Sequence, residues 1–150
     1  QFSRWNIEML ATDISNDILE AARRGLYSQF EVQRGLPVQM LLENFKQVED
    51  RWQISDEIKR MVQFKQFNLL DSMAGFGQLD VIFCRNVLIY FDETDKADIF
   101  ARLAAQLKDD GFLFLGSSET VLGLTDAFAP VPDLRGVYAK KGSPHLEKKA

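Results

Sequence analysis

Residues 80–92, Asp-Val-Ile-Phe-Cys-Arg-Asn-Val-Leu-Ile-Tyr-Phe-Asp, constrain this chain more than any other stretch. A short apolar run from Leu79 to Cys84 is broken by the polar pair Arg85 and Asn86. A second apolar run, Val87 to Phe91, closes on Asp92. The first run has the length and β-branched content of a strand buried on both faces. In open α/β sheets, ligands bind just past the carboxyl ends of such strands. Arg85 and Asn86 fall at that place. The competing reading is a strand followed by an ordinary polar loop, because short apolar runs are ambiguous.

The remaining segments extend the pattern. Ile7 to Ala11 reads as a strand ending at Thr12-Asp13. Ser15 or Asn16 caps a helix whose apolar and alanine positions are Ile18, Leu19, Ala21 and Ala22, and Gly25 stops it. Gly35 and Pro37 open a second helix with the stripe Val38, Leu41, Leu42 and Phe45. Residues 45–67 alternate apolar and polar, which favours half-exposed antiparallel strands with turns at Glu49-Asp50 and Ser55-Asp56. A helix from Pro37 to Arg51 competes with that reading. Asn68-Leu69-Leu70-Asp71 then leads into a loop marked by Gly75 and Gly77. Ile99, Phe100, Leu103, Ala104 and Leu107 form a helical stripe within Thr94 to Leu107, and Gly111 ends it. Phe112 to Leu115 is a strand followed by Gly116-Ser117-Ser118-Glu119, and Val137 to Ala139 is a last short strand. Residues 141–150 read as a solvated tail. Strands alternating with helices predict an α/β domain over 1–140 with a mostly parallel sheet and a small β-subdomain at 45–67.

Composition excludes several classes. The chain has 150 residues, enough for one domain with a real core. Its net charge of −4 gives no electrostatic case for nucleic-acid binding. The one histidine, His145, has no partners at metal-ligand spacing, so no metal site is expected. Cys84 is the one cysteine, lies in an apolar run, and is expected to be buried and inert. No apolar run reaches the length of a membrane span, and Gln-Phe-Ser-Arg-Trp lacks a signal-peptide pattern. The expectation is a cytoplasmic protein with no membrane insertion.

Asp13 is the second clue. An acidic residue at the carboxyl end of an early strand can accept hydrogen bonds from both ribose hydroxyls of a nucleotide-like cofactor. It is also a favoured helix cap, which is the more ordinary use. A ligand using both strand ends would span from Asp13 to the region of Asn68 and Asn86.

Ala11-Thr12-Asp13-Ile14-Ser15, Asn68-Leu69-Leu70-Asp71, residues 80–92 and Gly116-Ser117-Ser118-Glu119 together closely resemble the chemotaxis receptor methyltransferases of the CheR type. The resemblance runs to about Lys140, and residues 45–67 fall where that family carries a small β-subdomain. It implies a Rossmann-like, S-adenosylmethionine-dependent methyltransferase fold. It implies an enzyme that esterifies glutamate side chains on the cytoplasmic helices of methyl-accepting chemoreceptors, with S-adenosylhomocysteine as product. By the same resemblance Asp13 holds the ribose, and Asn68 and Leu69 flank the adenine. Arg85 and Asn86 border the methionine end, and Tyr90 lies near the methyl group as the catalytic candidate. Core packing is the plainer use of Leu69, and Tyr90 could equally be a core aromatic with its hydroxyl at the surface.

The chain also departs from the family. Twelve residues precede Asp13 and none is glycine, whereas the family has a first strand, a Gly-rich turn and a helical N-terminal domain ahead of this position. A sheet lacking its first strand leaves unpaired edges, so a fragment, a homodimer or a strand swap is expected. Methyl transfer by the chain alone is expected to be weak or absent. Residues 45–67 contain no glycine, which argues against the pentapeptide tethering found in some family members. Two other readings compete. A nicotinamide-dependent oxidoreductase would need a Gly-x-Gly-x-x-Gly turn before Asp13, and there is none. A degenerate methyltransferase domain acting as a non-catalytic receptor or signalling module would keep the fold without the cofactor.

Overall fold

The computed structural model describes residues 5–147. The chain divides into two compact units at the Asn68–Leu69 junction.

In the first unit, β1 (Met9–Asp13) leads into α1 (Asn16–Arg24). Ser15 is the N-cap, its Oγ accepting from the Ile18 N–H at 3.4 Å, and basic Arg23 and Arg24 occupy the last turn. Gly25 closes the helix at φ 62°, its N–H donating to Ala21 O. No other residue suits this point. A Cβ there would lie 2.6 Å from Ile54 Cγ2 and would face a left-handed backbone as well. The chain continues through β2 (Leu26–Ser28), α2 (Gln29–Gln33) and α3 (Val38–Asn44). A hairpin follows, β3 (Phe45–Val48) and β4 (Arg51–Ile54), then α4 (Asp56–Arg60) and β5 (Val62–Gln66).

The strands sort into two sheets. β2, β4 and β3 form an antiparallel sheet in that order, with Glu49 at φ 55° in the hairpin turn. β1 and β5 form a parallel pair, in register from Met9 opposite Val62 to Asp13 opposite Gln66. The antiparallel sheet and the turn at Glu49-Asp50 follow the alternation of the sequence. Three details differ. Strand β1 lies two residues later than the apolar run 7–11. Ser55-Asp56 is not a plain turn: Ser55 caps α4, and the acidic first turn and basic last turn of that helix suit its dipole. The alternating segment 61–67 therefore leaves the antiparallel sheet and joins β1. Alternation reports a half-exposed strand but not its partner, and the helical turn between β4 and β5 redirects the chain. The third antiparallel strand is β2 instead. Of the stripe expected on α3, Leu41 is buried, Val38 and Leu42 are exposed, and Phe45 is already extended.

In the second unit, β6 (Leu79–Cys84) is followed by a 3₁₀ turn at Leu88–Tyr90 and by α5 (Glu93–Gln106). Asp92 caps α5, accepting from the Asp95 N–H at 2.9 Å. Then come β7 (Leu107–Leu115), β8 (Phe128–Pro130) and β9 (Val137–Lys140). The sheet order is β6-β7-β9-β8, with β6 and β7 parallel and the other pairs antiparallel. Among the described residues, both parallel pairings flank crossover segments, as an α/β fold requires. Ile99, Phe100 and Leu103 of α5 are buried, as are Leu107, Leu113 and Leu115 of β7. Register slips between β6 and β7: Leu79 faces Leu107 while Val81 faces Phe112. Gly111 sits inside that bulge, where a Cβ would lie 2.8 Å from Asp80 O.

β6 is not buried on both faces. Cys84 is buried, but Val81 is 44% and Phe83 71% exposed. The run is apolar apart from Asp80, yet Val81 and Phe83 stay exposed, and Phe83 stacks on Phe114 with centroids 4.7 Å apart. Residues 141–147 also differ from a solvated tail. Ser143 is buried, the His145 ring lies 4.3 Å from that of Phe112, and Leu146 packs against Val131, Val137 and Ala139.

Candidate functional site

Each unit presents polar side chains at the carboxyl ends of its parallel strands. In the first, Asp13 ends β1 and is half-buried. Its Oδ1 accepts from the Ser15 N–H at 2.8 Å, so part of its role is the turn that starts α1. The neighbouring strand end is tied to it. The Phe67 N–H donates to Asp13 O at 3.0 Å, and the Gln66 side chain bonds Ile14 O at 2.9 Å and Asn16 Nδ2 at 3.1 Å. Asn68, half-buried, follows directly. Asp13 and Asn68 are therefore held at the same end of one parallel pair.

In the second unit, Leu69 is half-buried, and its carbonyl accepts from Arg102 Nη1 at 3.0 Å. Past the end of β6, Arg85 and Asn86 are exposed, and Asn86 takes φ 58°. Such a conformation is uncommon outside glycine, and asparagine is among the residues that tolerate it. Tyr90 ends the 3₁₀ turn and is 81% exposed, which rules out the core-aromatic reading for this residue. Leu88, two residues earlier, is fully buried and anchors the turn. Arg85, Asn86 and Tyr90 thus lie on one short loop between β6 and α5.

Glu119, in the turn after β7, holds this loop from outside it, and no spacing in the sequence assigns it that role. It is almost wholly buried, and its carboxylate accepts from the N–H groups of Asn86, Val87, Leu88 and Gly116 at 2.6 to 2.9 Å. Burial pushes its pKa up, but the hydrogen bonds from Asn86, Gly116, Leu88 and Val87 outweigh it and hold the carboxyl below the ordinary glutamate value. Cys84 lies nearby, and burial, with a lesser push from the charge of Glu119, raises its thiol to about 12. That thiol is inert at neutral pH. Among the described residues no group of three or more His, Cys, Asp and Glu could hold a metal, and no helix is long and apolar enough to cross a membrane.

The chemistry of these residues fits a nucleotide-like cofactor. In the first unit, a carboxylate at one strand end with an asparagine beyond the adjoining strand is the kind of polar pair that can meet a nucleotide-like ligand. Parallel strand ends of this kind, with crossover helices and a small antiparallel sheet, define a Rossmann-like α/β domain of the methyltransferase type.

Comparison with known proteins narrows the class. The family model "CheR methyltransferase, SAM binding domain" matches residues 1–137, and the chain belongs to that family. It is 40% identical over 136 residues to a chemotaxis protein methyltransferase of Vibrio parahaemolyticus, covering 90% of this chain and 50% of the relative. It is 40% identical over 131 residues to chemotaxis protein methyltransferase Cher2 of Pseudomonas putida, covering 87% and 48%. With a chemotaxis protein methyltransferase of Salmonella typhimurium it shares 38% identity over 142 residues, covering 91% and 47%. The chain spans about half the length of the curated relatives it matches.

Proposed function

We propose that this chain is the cofactor-binding part of a protein-glutamate O-methyltransferase that acts on the cytoplasmic helices of chemoreceptors. The observation that carries the proposal is the family match over residues 1–137, with polar side chains at both parallel strand ends. S-adenosylmethionine supplies an electrophilic methyl group on a sulfonium, with S-adenosylhomocysteine as the product left behind.

The roles follow from side-chain chemistry. Asp13 accepts from the ribose hydroxyls. Asn68 offers an amide to the adenine edge, and Leu69 an apolar side. Arg85 and Asn86 meet the methionine end, where Arg85 suits a carboxylate. Tyr90, exposed and aromatic, provides a wall and a hydroxyl beside the reacting carbon. The acceptor glutamate is ionised at neutral pH, with an ordinary pKa of about 4.3. It therefore needs no general base, and the protein's task is to align the reacting atoms and exclude water. The lack of a Ser-His-Asp or Cys-His set among the described residues is thus no obstacle.

Calorimetric titration with S-adenosylhomocysteine is the test. Saturable binding that Asp13→Ala abolishes is expected. No binding by the chain, together with receptor-helix binding in a pull-down, would favour the non-catalytic module instead. Binding of a nicotinamide dinucleotide in place of S-adenosylhomocysteine would refute the class.

A further inference from the structure

We propose that Glu119 is the positioning residue of the site: it clamps the loop after β6 and thereby sets the directions of Asn86 and Tyr90. The inference deepens the cofactor-site reading given above and rests on it.

The geometry is specific. One carboxylate oxygen, Oε2, accepts from Asn86 N at 2.8 Å and Gly116 N at 2.6 Å. The other, Oε1, accepts from Val87 N at 2.9 Å and Leu88 N at 2.8 Å. Three consecutive amides of the loop therefore point at one side chain that lies 31 to 33 residues away in sequence. Convergent amides need an unusual backbone, and Asn86 supplies it with its left-handed φ of 58°. Three successive N–H groups turned inward form an anion-binding concavity, and Glu119 fills it from within the protein.

The turn that carries Glu119 is built for this. Glu119 N–H donates to Gly116 O at 3.0 Å, so residues 116–119 close a tight turn and the side chain curls back to Gly116 N. Gly116 must be small. A Cβ there would meet Asn86 Oδ1 and would lie 2.7 Å from Glu119 Oε2 and 3.0 Å from Asn86 N. The motif Gly116-Ser117-Ser118-Glu119 is thereby explained by its two ends. Glycine leaves room for the clamp, and glutamate is the clamp.

A buried carboxylate that only filled space would need a cation or a proton. Here four backbone donors take that place, and the depressed pKa of Glu119 follows from them despite its burial. Glu119 faces away from solvent, whereas Asn86 and Tyr90 are exposed. It therefore acts through the loop rather than by touching a ligand.

The experiment compares the 150-residue chain with Glu119→Gln and Glu119→Asp. Three readouts are used: amide chemical shifts by NMR, affinity for S-adenosylhomocysteine by calorimetry, and thermal melting. Glutamine keeps one acceptor oxygen but turns an amide donor toward two N–H groups. Aspartate keeps the charge but is one methylene too short to reach all four. In both variants the amide resonances of Asn86, Val87, Leu88 and Gly116 should move, and affinity should fall at least tenfold. Leu113→Ala is the control: it empties buried volume in β7 without touching the clamp, so it should lower the melting temperature and leave affinity unchanged. Wild-type amide shifts and affinity in Glu119→Gln would overturn the proposal. So would affinity losses in Leu113→Ala equal to those in the Glu119 variants. If the unsubstituted chain binds no S-adenosylhomocysteine, the cofactor reading fails. The four amide resonances then decide the clamp alone, and unmoved resonances in Glu119→Gln overturn it.

Discussion

Asp13→Asn separates the two uses open to Asp13. A carboxylate offers about four lone-pair sites, and the Ser15 N–H takes one of them, on Oδ1 at 2.8 Å. Asparagine keeps one side-chain oxygen, which can still accept from Ser15, and it favours the same local turn. Its NH₂ then replaces the second oxygen and presents a donor where a ribose hydroxyl needs an acceptor. One charge-assisted hydrogen bond is lost, at about 1.5–3 kcal/mol. At roughly 1.4 kcal/mol per decade, S-adenosylhomocysteine should bind about 10- to 150-fold more weakly. The turn survives, so the melting temperature should move by no more than about 2–4 °C. Asp13→Ala should lose both the affinity and about 1 kcal/mol of stability, because the Ser15 N–H then has no partner. Calorimetry gives the affinities and circular dichroism the melts. Affinity within twofold of wild type in Asp13→Asn would refute the ribose role and leave Asp13 as the acceptor of the turn that leads into α1.

Three further outcomes are expected. Cys84, buried with its thiol near 12, should resist iodoacetamide at pH 8 in the native chain and react promptly in denaturant, as read by mass spectrometry; equal rates in both states would contradict its burial. Gly25→Ala places a Cβ 2.6 Å from Ile54 Cγ2 at a φ of 62°, and should cost at least about 2 kcal/mol in urea unfolding. An unchanged midpoint would show that the α1 terminus is built otherwise. The carboxyl of Glu119 titrates lower in the folded chain than when unfolded. Its contribution is therefore complete above the unfolded value of about 4.3 and is lost as pH falls through the lower folded value. The stability difference between wild type and Glu119→Gln should be level above about pH 5 and shrink on acidification; a difference that grows with acid would reverse the assigned direction.

Local rules carried much of this fold. Ser15, Gly25 and Asp92 mark helix ends through caps and a left-handed backbone, which depend on neighbours a few residues away. The apolar stripe of α5 and the alternation at Phe45–Ile54 name their elements for the same reason. Helices α2 and α4 are too short, at five residues each, to show an apolar period, although capping serines at Ser28 and Ser55 announce both. The candidate site divides in the same way. Asp13, Asn68, Leu69, Arg85, Asn86 and Tyr90 could be singled out because strand ends and a family motif are patterns along the chain.

Pairing and burial depend on residues far apart in sequence. The segment Val62–Gln66 alternates as an antiparallel strand would, yet it lies parallel to β1 once the α4 turn has redirected it. Phe83 sits in an unbroken apolar run and is still 71% exposed, because coverage of a face depends on which element packs there. Glu119 is the sharpest case. In the chain it is one glutamate among several polar residues after a strand. Only folding brings three amides from the loop after β6 and one from Gly116 within hydrogen-bond reach of its carboxylate. Elements and caps were legible because they arise from contacts within a few residues. The clamp was not, because it exists only where two segments about 30 residues apart converge on one buried charge.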